Sequence, residues 1–160
     1  EIYMGDWSSD VCSSDLLLIH QPKYSLFVRE IENGLFEAVE RVGAGMIAFS
    51  PLAQGVLSSR YLDGIPTGSR AARGTRFLLP AHITPDLLDK VRALNEIARA
   101  RGQTLAQLAI AWVLRDPRMT SALVGASSVE QLRENVAAVR QLGFSAEELA
   151  AIDRIAGTAQ

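Results

Sequence analysis

The chain has 160 residues, 48% hydrophobic and 21% charged, so it can bury a core and has the composition of a soluble globular protein. Its net charge of −2 provides no overall basic field, which argues against nucleic acid or an anionic membrane as a partner. With no apolar run near the roughly 18 residues of a membrane span, no recognisable leader and a single cysteine, Cys12, the sequence predicts a cytoplasmic protein without disulfides or membrane insertion.

The first 15 residues fit neither a helix nor a strand. They contain Ser-Ser-Asp twice, at 8–10 and at 13–15, and no periodic apolar pattern. Such a segment is either a non-native tag or linker, or a native disordered tail, because a Ser- and Asp-rich stretch buries little apolar surface. We therefore take residues 1–15 as a non-native or disordered segment and residues 16–160 as the folded part.

The next stretch predicts a strand, a helix and a second strand. LLLIHQ at 16–21 is a short apolar run closed by Pro22, which is typical of a strand in a parallel sheet. Over 30–42, Leu35 and Val39 recur at helical spacing before Gly43, and GMIAF at 45–49 is a second apolar run. This order predicts a right-handed βαβ unit with parallel strands and a binding face after Ser50.

A long segment without periodicity follows, from Ser50 to about Ile83. Loops of this length are uncommon in compact domains and are often binding loops or lids. Two interpretations stay open for its basic residues, a solvated surface or an arginine clamp on phosphate. The arginines concerned are Arg60, Arg70, Arg73 and Arg76, opposed only by Asp63.

The remainder predicts four helices and a third strand. Thr84 and Pro85 begin one helix, and Thr104 with Gln107 forms a capping box for a second helix that is apolar on nearly all sides. The third strand is predicted at 120–124, the next helix at 129–141, and a last helix after Ser145. Three parallel strands alone would leave apolar edges, so the chain is best explained as part of a larger barrel of about 250 residues.

LVGASSVEQLREN at 123–135 reads as a strand that runs into a capped helix. Ser128 with Gln131 forms a Ser-x-x-Gln capping box, and Ser127 with Glu130 offers a second register. A helix start presents free N–H groups and the positive end of the helix dipole, which suits a phosphate. An ordinary capped helix explains the same pattern, and spacing alone leaves both open.

No self-contained catalytic constellation is visible. His20 and His82 are far apart and adjoin no zinc pattern, no Ser-His-Asp pattern and no glycine-rich nucleotide loop. We therefore predict no metal site and assign no catalytic residue within this chain.

Five motifs, in this order and spacing, resemble the C-terminal part of an aldo-keto reductase. The similarity covers about residues 16–157 and is to the branch that contains the potassium-channel β subunits and the L-glyceraldehyde 3-phosphate reductases. The motifs are HQPKYSL at 20–26, AFSPLAQGVLSSRY at 48–61, GIPTGSRAA at 64–72, LAIAWVLRDP at 108–117 and LVGASSVEQLREN at 123–135.

The resemblance implies a (β/α)8 TIM barrel of which this chain supplies strands 6 to 8 and their helices. It implies NADPH as cofactor and hydride transfer to a small aldehyde or ketone. The family's catalytic Asp, Tyr, Lys and His would lie in the first half of the barrel, so the chain alone is expected to be inactive. A cofactor-sensing regulatory subunit is the alternative function, and a homo-oligomer is left open.

The resemblance also implies a set of cofactor-binding residues. Gln21 and Phe49 match the positions that hold the nicotinamide, and the loop after Phe49 matches the one that folds over the pyrophosphate. The full set is Gln21, Phe49, Ser50, Pro51, Leu52, Gln54, Gly55, Arg60, Arg70, Gly125, Ser127, Gln131, Glu134 and Asn135. Many family members have arginine where this chain has Gln131 and lysine where it has Gly125, so a preference for NADPH over NADH would rest on Ser127 and the loop arginines.

Overall fold

The computed structural model describes residues 17–67, 69, 71–74 and 78–158. Within them, three strands and five helices follow one another, with short 3-10 turns between. In chain order these are β1 Ile19–His20, α1 Leu35–Arg41, β2 Gly45–Phe49, α2 Pro85–Ala100, α3 Leu105–Val113, β3 Met119–Leu123, α4 Val129–Ala137 and α5 Ala146–Ala156.

The three strands form one parallel sheet in the order β1-β2-β3. Ile19 is aligned with Gly45 and Phe49 with Leu123, so all carboxyl ends lie at one edge of the sheet. The predicted parallel sheet with helical connections is confirmed. Thr120 forms a bulge, and its Oγ accepts a hydrogen bond from Met46 N at 3.2 Å. A Cβ at Gly45 would lie 3.0 Å from that oxygen, so the absence of a side chain there accommodates the bulge.

The first strand is shorter than predicted. The sequence suggests residues 16–21, of which Leu16 lies outside the described residues; of residues 17–21, β1 covers only Ile19–His20. Pro22 has no N–H and cannot continue a ladder as a donor, but its carbonyl oxygen accepts from Phe49 N at 2.9 Å. Tyr24 N then donates to Phe49 O at 3.3 Å. The chain therefore stays beside β2 after the regular strand has ended.

The predicted helix over 30–42 is interrupted. Glu30–Glu32 forms a 3-10 turn, and α1 begins only after Gly34, whose φ of 92° lies in the left-handed region. Glycine adopts that conformation without the cost that a side chain would add, so Gly34 changes the chain's direction between the two pieces. Gly43, with a φ of 70°, ends the helical segment as predicted.

The helices α2 and α3 supply a large part of the core. Thr84 caps α2 by accepting from Leu87 N, and the predicted box of Thr104 and Gln107 caps α3 from both sides. All of α3 except Gln107 is buried, including Trp112, as its apolar composition predicts. This helix packs against α2, α4 and β3.

The last helix, α5, packs against α2 and begins with the predicted box of Ser145 and Glu148. Arg29 fixes its far end by donating to Asp153 Oδ1 at 2.6 Å and to Gly157 O at 2.8 Å. Within the described residues, no helix combines the length and apolar character needed to cross a bilayer.

Candidate functional site

The carboxyl ends of the three strands bring several predicted site residues to one edge. Gln21 follows β1 and is exposed, Phe49 ends β2, and Gly125 and Ser127 follow β3 and are exposed. Because Phe49 is aligned with both Lys23 and Leu123, the chain after each outer strand borders the end of β2. Ligands of open parallel sheets bind at such an edge.

Phe49 lies on a sheet face that the described residues leave uncovered. Met46 and Ala48 point to the other face and are fully buried against the helices, whereas Phe49 is 38% exposed. An aromatic ring at a strand end, partly open and held by backbone bonds to Pro22 and Tyr24, offers a flat apolar surface to a ring-shaped ligand.

The loop after β2 is conformationally strained. Ser50, Ala53 and Gln54 have φ values of 57°, 46° and 60°, in a region that residues with side chains rarely occupy. Gln54 Nε2 donates to Ser50 Oγ at 2.8 Å, which ties the two ends of the turn together. Strain of this kind, worth of order 1–3 kcal/mol for each residue, is concentrated at ligand-binding sites.

Buried neighbours anchor this strained loop to the core. Pro51 is buried, Leu52 packs against the core, and Gly55 is half-buried with a φ of 95°. Gly55 O also accepts from Ser58 Oγ at 2.6 Å. The predicted pyrophosphate loop is therefore a fixed turn beside the strand ends.

The arginine segment is only partly described. Arg60 is exposed and lies in a 3-10 turn whose neighbour, Tyr61, is buried. The Tyr61 hydroxyl accepts from Ala71 N at 3.5 Å, so the chain folds back between these positions. Arg70 lies outside the described residues, and the predicted clamp of Arg60 and Arg70 on phosphate stays a prediction.

The start of α4 is occupied by its own side chains. Ser128 is the N-cap and accepts from Gln131 N at 3.2 Å. Gln131 Oε1 accepts from Ser127 N at 2.7 Å and from Ser127 Oγ at 3.1 Å. In the predicted capping box the Gln131 side chain would instead accept from Ser128 N. Hydrogen bonds from its own N–H and from the Ser128 hydroxyl hold the pKa of Glu130 below its ordinary value. An anion here would meet the Glu130 carboxylate and would compete with Gln131 for Ser127.

Further along α4, Asn135 is 3% exposed and its Nδ2 has no hydrogen-bond partner among the described residues. Its neighbour Glu134 is half-buried, and the Glu134 carbonyl accepts from Gln107 Nε2 at 3.2 Å. An asparagine amide matches the edge of adenine, which offers an N7 acceptor and an N6 donor. The contact of Asn135 with an adenine ring stays a prediction, and it would require the buried Nδ2 to become accessible to the ligand.

Sequence reasoning missed a network that supports the strand end. The hydroxyl of fully buried Tyr24 donates to Glu32 Oε1 at 2.5 Å and accepts from Arg115 at 2.8 Å. Glu32 also pairs with Arg29, and the Arg115 guanidinium lies 3.7 Å from the centre of the Trp112 ring. Burial opposes ionisation of Glu32, but the hydrogen bonds from Tyr24, Arg29 and Arg115 outweigh it and lower the pKa of Glu32. Because Tyr24 N also bonds Phe49 O, the network fixes the segment beside Phe49.

Only a sequence signal of long range could have revealed this network. Glu32 and Arg115 are 83 positions apart, and neither residue belongs to a local motif that pairs them. The network holds the backbone in place, and its groups are engaged with one another.

The site as described offers binding groups and no paired acid and base. His82 Nδ1 accepts from Leu79 N at 3.2 Å, so it closes a local turn. A depression of about 410 Å³ lined by Asp116, Pro117 and Phe144 lies towards the amino end of β3, away from the strand ends discussed above. No cluster of three or more His, Cys, Asp or Glu side chains suited to a metal occurs within the described residues.

Comparison with known proteins identifies relatives along most of the chain. Residues 14–156 match the aldo/keto reductase family. The chain is 51% identical over 142 residues to an L-glyceraldehyde 3-phosphate reductase of Escherichia coli O157:H7 and 50% identical over 142 residues to that of Escherichia coli strain K12. It is 39% identical over 140 residues to a Schizosaccharomyces pombe protein named as a voltage-gated potassium channel subunit beta.

The matches cover most of this chain and less than half of each relative. They take in 86% of this chain and 41% of each Escherichia coli reductase, and 84% of this chain and 41% of the Schizosaccharomyces pombe protein. The chain thus spans about two fifths of the length of these curated relatives.

Proposed function

Since the chain belongs to the aldo/keto reductase family, we propose that it forms the NADPH-binding part of a reductase that acts on small aldehydes or ketones. In this proposal the chain supplies strands 6 to 8 and their helices to a (β/α)8 barrel. Three adjacent parallel strands joined through helices support this placement in the fold. A cytoplasmic location stays a prediction of the sequence.

One observation carries the proposal: residues from three successive strand ends converge on one edge of the sheet. Gln21 follows β1, Phe49 ends β2 and Ser127 lies beyond β3. Phe49 is aligned with Lys23, just beyond β1, and with Leu123, the last residue of β3. A dinucleotide is long enough to use all three positions. The chain thereby offers an amide, an aromatic face and a hydroxyl in the order that an extended cofactor needs.

When bound, the nicotinamide would supply the hydride for the reaction. Gln21 would hold its carboxamide, since an amide has both a donor and an acceptor, and the half-exposed ring of Phe49 would support its ring. The turn at 50–55 would cover the pyrophosphate with Arg60 and Arg70 nearby. Ser127 and Gln131 would bind the ribose and its phosphate, and Glu134 and Asn135 the adenine edge.

The proton-transferring groups of the reaction would come from outside this chain. In the complete protein we expect the catalytic Asp, Tyr, Lys and His of the family in the first half of the barrel. Tyr24 and Tyr61 are buried, at 0% and 1% exposure, and the Tyr24 hydroxyl is held by Glu32 and Arg115. The role of this chain would be to bind and orient the cofactor.

A preference for the 2′-phosphate of NADPH is weakly supported at the start of α4. Gln131 already bonds Ser127, and the Glu130 carboxylate repels a phosphate. Binding of that phosphate would require Gln131 to release the Ser127 hydroxyl. A preference for NADPH over NADH therefore depends on Ser127 together with Arg60 and Arg70.

A cofactor-sensing regulatory subunit is the second candidate function. The 39% identity to a protein named as a voltage-gated potassium channel subunit beta favours it. In such a protein NADPH would bind as it does in a reductase, but little or no turnover would follow.

A fused chimera tests the NADPH site that both candidate functions require. We would join the part of the Escherichia coli K12 relative that precedes the matched stretch to residues 16–160 and measure NADPH consumption with a small aldehyde. A reductase consumes NADPH, and Phe49→Ala raises the KM for NADPH by about 10-fold while Phe49→Tyr, which keeps a ring, restores it. A folded chimera that binds no NADPH contradicts both candidates.

A further inference from the structure

The segment 21–24 connects the two side chains proposed to hold the nicotinamide. Gln21 begins it, and two backbone hydrogen bonds attach the remainder to the end of β2. Phe49 N donates to Pro22 O at 2.9 Å, and Tyr24 N donates to Phe49 O at 3.3 Å. The distance between the Gln21 amide and the Phe49 ring therefore depends on where this short segment lies.

Regular strand pairing stops before this segment. The strand β1 ends at His20, and the ring of Pro22 leaves no N–H for a further ladder bond. The side chains of Gln21 and Lys23 are exposed, whereas Pro22 and Tyr24 are buried. The core thus contacts the segment through Pro22 and Tyr24, and only Tyr24 has a side chain with a polar group.

Tyr24 is held by its ring and by its hydroxyl in different ways. The ring packs against Phe36 and Trp112, with ring centres 5.8 Å and 5.2 Å away. The hydroxyl donates to Glu32 Oε1 at 2.5 Å and accepts from Arg115 Nη1 at 2.8 Å. Apolar contacts tolerate small shifts, whereas hydrogen bonds weaken steeply with distance and angle. The hydroxyl is therefore the group that fixes how deeply Tyr24 sits.

Both partners of the hydroxyl are themselves anchored to helices. Arg115 donates to Trp112 O at 2.8 Å, and its guanidinium lies 3.7 Å from the centre of the Trp112 ring, at the end of α3. Glu32 pairs with Arg29 at 2.8 Å, and Arg29 donates to Asp153 Oδ1 in α5 at 2.6 Å. The Tyr24 hydroxyl is thus referred to two helices that lie outside the sheet.

The two ends of the predicted cofactor site depend on different parts of the fold. The proposed ribose and adenine contacts lie after β3 and on α4, where Ser128 and Gln131 cap the helix through local hydrogen bonds. The hydrogen bonds of the Tyr24 hydroxyl run instead to Glu32 and Arg115. Loss of that hydroxyl should therefore act on the nicotinamide end and leave the adenosine end intact.

We propose that Tyr24 is a positioning residue whose hydroxyl sets the distance between Gln21 and Phe49 at the nicotinamide end of the site. Supporting groups of this kind hold binding side chains in the productive geometry. Without the hydroxyl, the segment spends less time in the competent arrangement, and the apparent affinity falls with that fraction. The inference rests on the cofactor site proposed above and adds to it a residue that touches no ligand.

The first measurement needs no ligand. Tyr24→Phe removes only the hydroxyl and keeps the ring, and Ala93→Gly is the control, because it weakens α2 outside the segment and its network. Backbone amide hydrogen exchange of the full 160-residue chain is followed by NMR. In Tyr24→Phe we expect the amides at positions 24 and 49 to exchange at least ~5-fold faster and those of α4 to be unchanged. Ala93→Gly should give no such selective increase.

The second measurement compares two ligands on the same chains. NADPH reaches both ends of the site, whereas 2′,5′-ADP reaches only the adenosine end. We expect Tyr24→Phe to raise the dissociation constant of NADPH by about 3-fold to 10-fold and to leave that of 2′,5′-ADP unchanged, with Ala93→Gly altering neither.

Unchanged exchange at positions 24 and 49 in Tyr24→Phe would overturn the positioning role. So would an equal loss of affinity for both ligands, which indicates a general structural effect, or an unchanged NADPH affinity. A wild-type chain that binds neither nucleotide, while Tyr24→Phe shows the selective exchange, supports the fixed geometry of the segment and contradicts the proposed function instead.

Discussion

Asn135 combines deep burial with an unmet hydrogen bond. Its Nδ2 is buried without a partner among the described residues, although buried polar groups are paired in the great majority of cases. Leaving an amide donor unpaired costs about 1–3 kcal/mol. A ligand that supplies an acceptor at this point would recover part of that cost, and adenine has one.

Replacing Asn135 by leucine should therefore separate stability from binding. Asn135→Leu keeps the branched arrangement of side-chain heavy atoms and removes the unpaired amide, so we expect the free energy of unfolding to rise by about 1 kcal/mol without ligand. The affinity for 2′,5′-ADP, which contains the adenine and the ribose phosphate of NADPH, should fall at least ~10-fold. Thermal unfolding and calorimetric titration measure the two effects.

Asn95→Leu is the matched control, because Asn95 is also buried but lies in α2, outside the predicted site. It should leave the 2′,5′-ADP affinity unchanged. Equal loss of affinity in both variants, or none in Asn135→Leu, would remove Asn135 from the site.

Glu32 gives the fold a pH dependence whose sign follows from its lowered pKa. The folded-state pKa lies below the ordinary value of 4.5, so the stabilisation is fully present above the unfolded pKa and is lost as the pH falls through the folded one. At pH 7 we expect Glu32→Gln to lower the free energy of unfolding by about 2 kcal/mol. Below pH 4.5 the difference between wild type and variant should shrink, as urea denaturation would measure.

The exposed carboxylate of Glu96 is the control for this effect. It pairs with Arg99 on α2, with a side chain that is 70% exposed. Glu96→Gln should change the unfolding free energy by no more than about 0.5 kcal/mol at either pH. If the difference in unfolding free energy between wild type and Glu32→Gln grew as the pH fell, the lowered pKa of Glu32 would be refuted.

Single residues also show where sequence reasoning stopped. The N-cap Ser128 is correctly predicted from spacing, because N-caps are local interactions, but the predicted box is only half formed, since the Gln131 side chain does not accept from Ser128 N. The bond from Ser127 to the Gln131 oxygen, which competes with a bound anion, depends on side-chain rotamers that spacing does not encode. The role of Ser127 as a phosphate ligand stays a prediction.

At the scale of elements, the strained turn after β2 offers a direct test. Ala53 has a φ of 46° and a side chain without polar groups. Ala53→Gly should relieve the left-handed strain of about 1–2 kcal/mol, but it also makes the unfolded chain more flexible. We expect the free energy of unfolding to rise by about 0.5 kcal/mol in total. Denaturation by urea would measure the gain.

The same substitution in a helix should act in the opposite direction. Ala93→Gly within α2 should cost about 1 kcal/mol, since glycine is a poor helix former. If Ala53→Gly costs as much as Ala93→Gly, the turn is not strained at Ala53. If the turn is preorganised for a ligand, Ala53→Gly should also weaken NADPH binding.

A helix or strand can be predicted from the sequence where the interactions that begin and end it are local. The helices α2, α3 and α5 begin at their predicted caps, and β2 has its predicted bounds, because capping boxes and apolar runs are local. The helix α1 is shorter than predicted because Gly34 turns the chain before it, and the strand β1 is shorter than its apolar run because regular pairing with β2 covers only Ile19 and His20. The bulge at Thr120 depends on pairing between distant segments and could not be read from either one.

At the scale of the whole molecule, the open surfaces and the length of the relatives agree. The sheet has two free edges among the described strands and an uncovered face bearing Ile19, Phe49 and Leu123, each between 38% and 57% exposed. Free sheet edges and an uncovered apolar face are expected when only a few βα units of a larger closed barrel are present. The chain spans 41% of the length of the reductases it matches, so we expect cofactor binding here and no aldehyde reduction by this chain alone.

The central claim is that this chain contains the residues that hold NADPH. An equilibrium fluorescence titration of the folded 160-residue chain with NADPH tests it most directly, with Ser127→Ala and Arg70→Ala as variants and Arg133→Ala as a control outside the site. We predict saturable binding that each of the two variants weakens by about 3-fold to 10-fold, with the control unchanged. A chain that unfolds cooperatively yet shows no saturable binding, or that binds equally well in both variants, would contradict it.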